Sequence, residues 1–201
     1  MIDLSASAVE VAPLLLGAVI AHDSPEGRVA VRLTEVEAYL GVGIDPGSHA
    51  FRGETRRNGV MFGEPGRLYT YFTYGMHVCA NIVCSPPGEA SAVLLRAGEV
   101  VEGLDLARSR RPTSKSDRDL AQGPARLVRA LGLAMTDDGA ALDAPPFSLE
   151  LPRSGTTPDP SVVRTSLRTG VSGDGGREPF PWRFYLAGEP TVSPYKKHPK
   201  L

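Results

Sequence analysis

An α+β fold is predicted for this chain: a single mixed domain over residues 1–201, with a curved, mainly antiparallel sheet flanked by helices and one protruding β-hairpin. Three observations predict it. Runs of strand length and pattern recur at 29–39, 68–73, 78–84 and 92–97, and two of them flank a short connection of the hairpin kind. The 18 prolines and 22 glycines point to turns and long connections rather than to a helical bundle. At 201 residues, 41% hydrophobic and 22% charged, the chain suits one soluble domain with a substantial core.

Residues Ser5 to Ala21 open with small polar residues and then carry Val9, Val11, Leu14, Leu15 and Leu16. That spacing predicts an N-terminal packing helix broken by Pro13 or starting near it. Ile20 and Ala21 lead into a strand, followed by a turn over Asp23 to Gly27. The next strand runs through RLTEVEAYLG, Arg32 to Gly41. Side chains alternate faces along a strand, so Val29, Val31 and Leu33 share a parity with Glu35, Glu37 and Tyr39. Carboxylates on an apolar face need a reason. Either the strand leaves the core or each finds a hydrogen-bonding partner, or one of them is a general base at the floor of a pocket. A loop with Gly41, Gly43, Pro46 and Gly47 then delivers His49, which is an acid, a base, a stacking plate or none of these. Arg52, Arg56, Arg57 and Asn58 follow in a polar loop that either reaches phosphates or is simply solvated.

After a turn at Glu64, Pro65 and Gly66, the runs Leu68 to Thr73 and Val78 to Cys84 flank Tyr74, Gly75, Met76 and His77. Tyr74 and Met76 therefore sit at a hairpin tip, where large apolar side chains mean contact with a partner or a tip folded on a neighbouring loop. Parity puts Tyr69, Tyr71 and Thr73 on one face, and His77, Cys79, Asn81 and Val83 on one face of the returning strand. Tyr71 and Asn81 are thus candidates to line the pocket of Glu37. Ala92 to Ala97 is a third strand, within which Arg96 needs an anionic partner: a carboxylate of the 32–41 stretch or a ligand phosphate.

Glu99 to Arg110 is predicted as a helix weakened by Gly103. A polar loop, Pro112 to Asp119, leads to Gly123 and Pro124, which open an amphipathic helix. Leu127, Val128, Leu131 and Leu133 fall on one of its faces, with Arg126 and Arg129 on the other. Proline is tolerated in a first turn, and the backbone amides there, at Gly123, are placed to hold a phosphate. Ala134 to Pro160 shows one strand-like run, Phe147 to Leu151, and no chemistry. Arg164 to Val171 and Arg183 to Leu186 are predicted short strands around a Gly/Pro loop, with Trp182 buried. The basic tail at Lys196, Lys197 and Lys200 is expected to fray.

The formal charge of −1 gives no global sign of a polyanion partner and argues mildly against nucleic acid. Yet Arg108, Arg110, Arg111, Lys115, Arg118, Arg126 and Arg129 crowd one segment, and a local patch can still bind phosphates. There is no phosphate-cradling GxxxxGKS/T, no dinucleotide glycine pattern after a strand, and no paired CxxC or HExxH, so neither cofactor nor metal is expected. Cys79 and Cys84 lie at odd separation in one strand and are expected to stay unpaired, as small core residues in a reducing compartment. No run approaches the roughly twenty apolar residues of a membrane helix, so a cytoplasmic protein without membrane contact is expected.

One carboxylate, several tyrosines, a histidine and an arginine around a hairpin with an aromatic tip suit a flat ring and the opening of a base stack. The ordered set TEVEAYLG, SHAFRG, RRNGVMF, PGRLYTYFTYGMHVCANIV, VLLRA, GPARL and PWRFY resembles the 3-methyladenine DNA glycosylase family that includes mammalian alkyladenine glycosylase. The resemblance runs over nearly the whole chain. It implies that Glu37 activates water against the anomeric carbon of a flipped nucleotide, and that Tyr39, Tyr71 and His49 stack on the base. It further implies that Tyr74, with Met76 beside it, enters the duplex, that Asn81 screens the flipped purine, and that Arg96 contacts backbone phosphate. Arg56, Arg57 and Gly123 are further candidate phosphate contacts. The implied partner is duplex DNA containing damaged purines, acted on by a monomer associated with the nucleoid in a bacterial cell.

Breaking an N-glycosidic bond develops positive charge on the sugar, so a carboxylate beside it serves both as a base and as an electrostatic partner. An amine nucleophile would be needed for strand cleavage, and the lysines fall at Lys115 and near the C-terminus, outside every pocket stretch. A monofunctional glycosylase leaving an abasic site is the expectation. A module that binds alkylated DNA without cutting it, or a domain with no DNA partner, are the competing readings. The first has no use for an acid at Glu37, and the second leaves the hairpin tip unexplained.

Overall fold

The computed structural model describes residues 3–73, 75–152 and 158–199. A short helix α1 (Ala8–Leu14) starts where the Ser7 N–H donates to the Glu10 carboxylate at 3.1 Å, the reciprocal half of a capping box. Pro13 falls in its last turn, and the chain leaves the helix at once. Leu15 and Leu16 are buried and Leu14 is exposed, so helical spacing does not extend past the proline.

Strands β1 (Val19–Ser24) and β2 (Gly27–Tyr39) form a tight hairpin, with Ser24 opposite Gly27. The sheet continues through β3 (Leu68–Thr73), β4 (His77–Cys84) and β5 (Ser91–Glu102). Helices α2 (Leu104–Arg110) and α3 (Pro124–Leu131) follow, then β6 (Phe147–Glu150), β7 (Val163–Ser166) and β8 (Arg183–Leu186). The strand order is β3-β4-β5-β2-β1-β6, with β8 pairing both β2 and β7, and the pairings are antiparallel. The result is the expected α+β fold, with a curved antiparallel sheet and helices packed on it. No helix among the described residues is long and apolar enough to cross a membrane.

β2 is the spine of the sheet. Its first half pairs with β1 and its second half with β8 on the same side, while β5 runs along the other. The ladder to β5 is irregular between Leu33 and Val36. An inserted residue in a strand exchanges the faces of everything beyond it. Val29, Val31 and Leu33 belong to the apolar cluster under α1 and α3, and beyond the irregularity Val36 and Ala38 take their place in it. Glu35, Glu37 and Tyr39 therefore look out of the opposite face. This corrects the parity expectation: the two glutamates do not sit among the valines. They are fully buried because both faces of β2 are covered.

The predicted helix over 99–110 is corrected too. β5 runs on to Glu102, and Glu99 and Glu102 pair across the strands with Arg32 and Arg28 on β2, at 2.8 and 3.1 Å. The break comes at Gly103, which has φ 73° and where a Cβ would meet the Arg28 carbonyl at 2.1 Å. α2 begins only after it. Similarly β7 stops at Ser166 rather than reaching Val171, and the chain then turns across the sheet. Cys79 and Cys84 are unpaired and buried, Cys84 in the core as expected. Trp182 is half-buried rather than buried.

Candidate active site

A cavity of about 330 Å³ opens between the second half of β2, the β3–β4 hairpin, the 46–49 loop and the 169–172 turn. Glu37 lies at its floor with no exposed surface. Three donors surround its carboxylate. The Thr169 N–H reaches Oε1 at 2.7 Å, the Tyr39 hydroxyl reaches Oε2 at 2.7 Å, and Arg96 Nη1 stands 3.4 Å from Oε1. Burial pushes the Tyr39 phenol well above its usual range, and the neighbouring Glu37 charge pushes it further, so Tyr39 remains a donor.

The walls are aromatic. Tyr39, His49, Tyr71 and Asn81 all line the cavity with Glu37, so the structure brings together every base-pocket residue named from the sequence. His49 and Tyr71 meet edge to face at 4.5 Å between centroids, and Tyr69 tilts against Tyr71 at 5.6 Å. Nδ1 of His49 is hydrogen-bonded to the Tyr69 hydroxyl at 2.9 Å. Partial burial of the imidazole, helped by the Arg57 guanidinium, lowers the His49 pKa below its ordinary 6.5. The ring is therefore neutral at pH 7, and its NMR resonances are expected to titrate below pH 6.5; a midpoint above that value would contradict the packing. The Asn81 amide donates to the Tyr69 carbonyl at 3.0 Å, leaving its own carbonyl for the cavity.

Arg96 meets the carboxylate of the 32–41 stretch that was one of its two expected partners. Its Nε donates to Glu35 Oε1 at 2.8 Å and its Nη2 to the Ser193 hydroxyl at 3.2 Å. Arg183 Nε reaches the same Glu35 oxygen at 2.7 Å, and the Ser193 N–H takes the other at 2.7 Å. Arg96 is thus buried against two carboxylates in an internal ion-pair network, and it also lines the cavity. Burial alone would raise the Glu35 pKa; the Arg96 and Arg183 charges outweigh it and hold the carboxyl below its usual value.

The rim carries the candidate DNA contacts. Arg56 and Arg57 are exposed, and Arg57 ties its loop to the hairpin by donating to the Phe72 carbonyl at 3.0 Å. Asn58 is buried and donates to the His49 and Gly53 carbonyls at 2.9 and 3.1 Å, so it organises the loop rather than meeting solvent. Met76 is 71% exposed and Phe72 beside it 54%, which leaves an apolar hairpin end facing solvent. Tyr74 lies outside the described residues. At the start of α3, the Gly123 N–H donates to the Ala121 carbonyl at 3.1 Å and Pro124 has no N–H. The basic segment is also thinner than its sequence suggests. Arg108 pairs with Asp105 and Asp117, Arg110 with Glu26, and Arg111 is buried against the Leu120 carbonyl.

Three further wall residues, Tyr69, Cys79 and Thr169, are not among the candidates singled out from the sequence. Tyr69 shares its strand face with Tyr71, a signal that was available. Cys79, expected in the core, lines the cavity, because it stands opposite Tyr71 across the hairpin. Thr169 arrives from the far end of the chain through its backbone, and nothing local marks it. Behind it lies Arg168, fully buried in an ion pair with Asp45 at 2.6 Å. The C-terminal segment does not fray at this point, since the Lys196 carbonyl accepts the Gly170 N–H at 2.9 Å.

Residues 3–190 match the family model described as methylpurine-DNA glycosylase. Three relatives carry the printed name "Putative 3-methyladenine DNA glycosylase". The protein of Leifsonia xyli subsp. xyli is 65% identical over 96% of this chain and 91% of its own. That of Streptomyces avermitilis is 55% identical over 94% and 88%, and that of Nocardia farcinica 48% identical over 92% and 86%.

Proposed function

The chain belongs to the methylpurine-DNA glycosylase family as a DNA N-glycosylase of the 3-methyladenine type, and on that premise we propose that Glu37 activates water against a purine nucleotide rotated out of duplex DNA. The observation that carries this reading is a carboxylate held by three donors at the floor of a cavity whose walls are aromatic. The cavity volume of about 330 Å³ falls within the range of small-ligand pockets.

Glu37 takes a proton from water as the hydroxyl oxygen bonds to the anomeric carbon, and the C–N bond breaks with its electrons leaving on the purine. The Glu37 charge also faces the positive sugar of the transition state. Tyr39 and Thr169 hold the carboxylate in one orientation, which saves the reaction a search through rotamers. Arg96 adds a fixed positive charge beside it. The proposed product is an abasic site, since among the described residues the amines of Lys115, Lys196 and Lys197 stand outside the cavity lining.

Extruding a base costs a few kcal/mol, and less for a damaged one. Stacking against His49, Tyr39 and Tyr71 returns about 1 to 3 kcal/mol per base. The two nearly balance, so a filler for the vacated stack decides the outcome. Tyr74 and Met76 are proposed for that role, supported by the exposed apolar hairpin end around Met76 and Phe72. Exposed Arg56 and Arg57 flank the same hairpin and are proposed to meet phosphates. Tyr74→Ser is expected to weaken lesion-duplex binding and slow excision by about tenfold, the worth of one stacking contact, without altering thermal unfolding. Unchanged activity on duplex would remove the wedge. Action as a monomer, in the cytoplasm on the chromosome, completes the proposal.

The test is release of free base from duplexes carrying 3-methyladenine, 7-methylguanine, hypoxanthine or ethenoadenine. Release of at least one, followed by an alkali-labile site and no enzymatic strand cut, is the expected result. Direct strand cleavage would overturn the monofunctional route, and binding without release would overturn the role of Glu37.

A further inference from the structure

We propose that the buried Asp45–Arg168 ion pair is the positioning device of the excision reaction, holding from outside the cavity the two groups, Tyr39 and Thr169, that hydrogen-bond to Glu37. The inference rests on the reading of Glu37 given above. Arg168 Nη1 and Nη2 each reach an Asp45 carboxylate oxygen at 2.6 Å, and both side chains are fully buried. Neither residue lines the cavity. Each nevertheless fixes something that does.

The Arg168 guanidinium lies 4.4 Å from the centroid of the Tyr39 ring, whose hydroxyl donates to Glu37. Its Nη1 also donates to the carbonyl of Ala38, the residue between Glu37 and Tyr39, at 3.0 Å. The residue following it, Thr169, supplies the N–H on the other Glu37 oxygen. Asp45 in turn accepts the Leu40 N–H at 3.1 Å and the Gly47 N–H at 2.9 Å, which shapes the loop between Tyr39 and His49. One ion pair, closed between residues 123 positions apart, thus sets both hydrogen bonds of Glu37 and the approach of His49.

Stability alone does not explain such a pair. Two charges taken wholly out of water are often replaced by apolar residues without loss, so a buried ion pair is weak support for a fold. The planar fork of arginine does what an apolar pair cannot: it stacks on a ring while bonding in its own plane to a carboxylate and two carbonyls. The backbone is packed directly against that plane. A Cβ on Gly47 would meet Arg168 Nη2 at 2.6 Å, and one on Gly175, whose carbonyl accepts from the same nitrogen, would meet the Gly47 nitrogen at 2.3 Å.

The experiment measures single-turnover release of hypoxanthine from a defined duplex, the affinity for that duplex, and thermal unfolding, for wild type, Asp45→Asn, Arg168→Lys, Gly47→Ala, Tyr39→Phe, the Asp45→Asn/Tyr39→Phe double variant and Glu37→Gln. The excision rate constant is expected to fall about 10- to 100-fold in the first three variants, as displacements of about 1 Å at a reacting group do, with affinity held within about threefold. Tyr39→Phe is expected to cost less in the Asp45→Asn background than in wild type, because the pair acts through Tyr39. Folded variants that excise at the wild-type rate, losses of affinity that match the losses of rate, or fully additive costs of Asp45→Asn and Tyr39→Phe would each overturn the proposal. So would failure of all three pair-directed variants to fold, since the pair would then be structural. A wild type that releases no base, or Glu37→Gln as fast as wild type, would bring down the reading of Glu37 first and this inference with it.

Discussion

Glu37→Gln is expected to lower the rate constant of base release from a lesion-containing duplex by about 10²- to 10⁴-fold, the range that a positioned general base supplies. That corresponds to roughly 3 to 5 kcal/mol of the barrier. The substitution keeps the shape of the side chain and removes its charge and its ability to take a proton. Its amide oxygen can still accept one of the two donors, Tyr39 or Thr169, and the other then faces an NH₂ group. Leaving that buried donor unpaired costs about 1 to 3 kcal/mol of stability. The expected pattern is a folded protein that binds the lesion duplex and excises almost nothing. Single-turnover excision beside duplex affinity checks it, and a variant that keeps its excision rate would remove Glu37 from the chemistry.

Glu35→Gln, two residues away on the same strand, is expected to do the reverse. Glu35 is the common anion of Arg96 and Arg183 and also accepts from Ser193. Neutralising it leaves two buried guanidiniums short of their main counter-charge, and breaking a buried pair from one side costs about 3 to 5 kcal/mol. For a chain of this size that lowers the melting temperature by on the order of 10 °C. The sign with pH follows from the direction of the Glu35 shift. Its folded pKa is held below 4.5, so its contribution is fully present above about that pH and is lost as pH falls through the folded value. Glu35→Gln should therefore be less stable than wild type at pH 7 and should converge toward it in acid. Excision by the folded fraction is expected to fall far less than in Glu37→Gln. A variant with wild-type unfolding and a large loss of excision would exchange the assignments of the two glutamates.

Much of the fold was legible because it rests on local pattern. The β3–β4 hairpin, the amphipathic α3 and the strand around Glu37 follow from alternation, helical spacing and turn residues. The failures have equally local causes. Residues 99–110 read as one helix, but the partners of Glu99 and Glu102, Arg32 and Arg28, lie on another strand, and residues up to Glu102 stay in β5. Segment 164–171 read as one strand, although β7 ends at Ser166 and the residues beyond it turn into the cavity wall. The basic segment read as a phosphate patch although Asp105 and Asp117 lie close by in sequence and pair with Arg108, and only Glu26, the partner of Arg110, is distant.

By itself the sequence determined the identity of the candidate base and its company: Glu37, Tyr39, His49, Tyr71 and Asn81 are named by strand pattern and by motif order, and the cavity gathers them all. Tertiary structure alone decided which way they face and what holds them. The irregularity after Leu33 turns Glu35 and Glu37 away from the apolar cluster, and it exists only as a mismatch between β2 and β5. Of the carboxylates near it, Arg96 donates to Glu35, where Arg183 and Ser193 complete the same buried network. Thr169, Arg168 and Asp45 reach the site through a closure across most of the chain. Periodicity reports the geometry of one element at a time, whereas the orientation of a buried charge is set by whichever distant group leaves the fewest charges and hydrogen bonds unpaired.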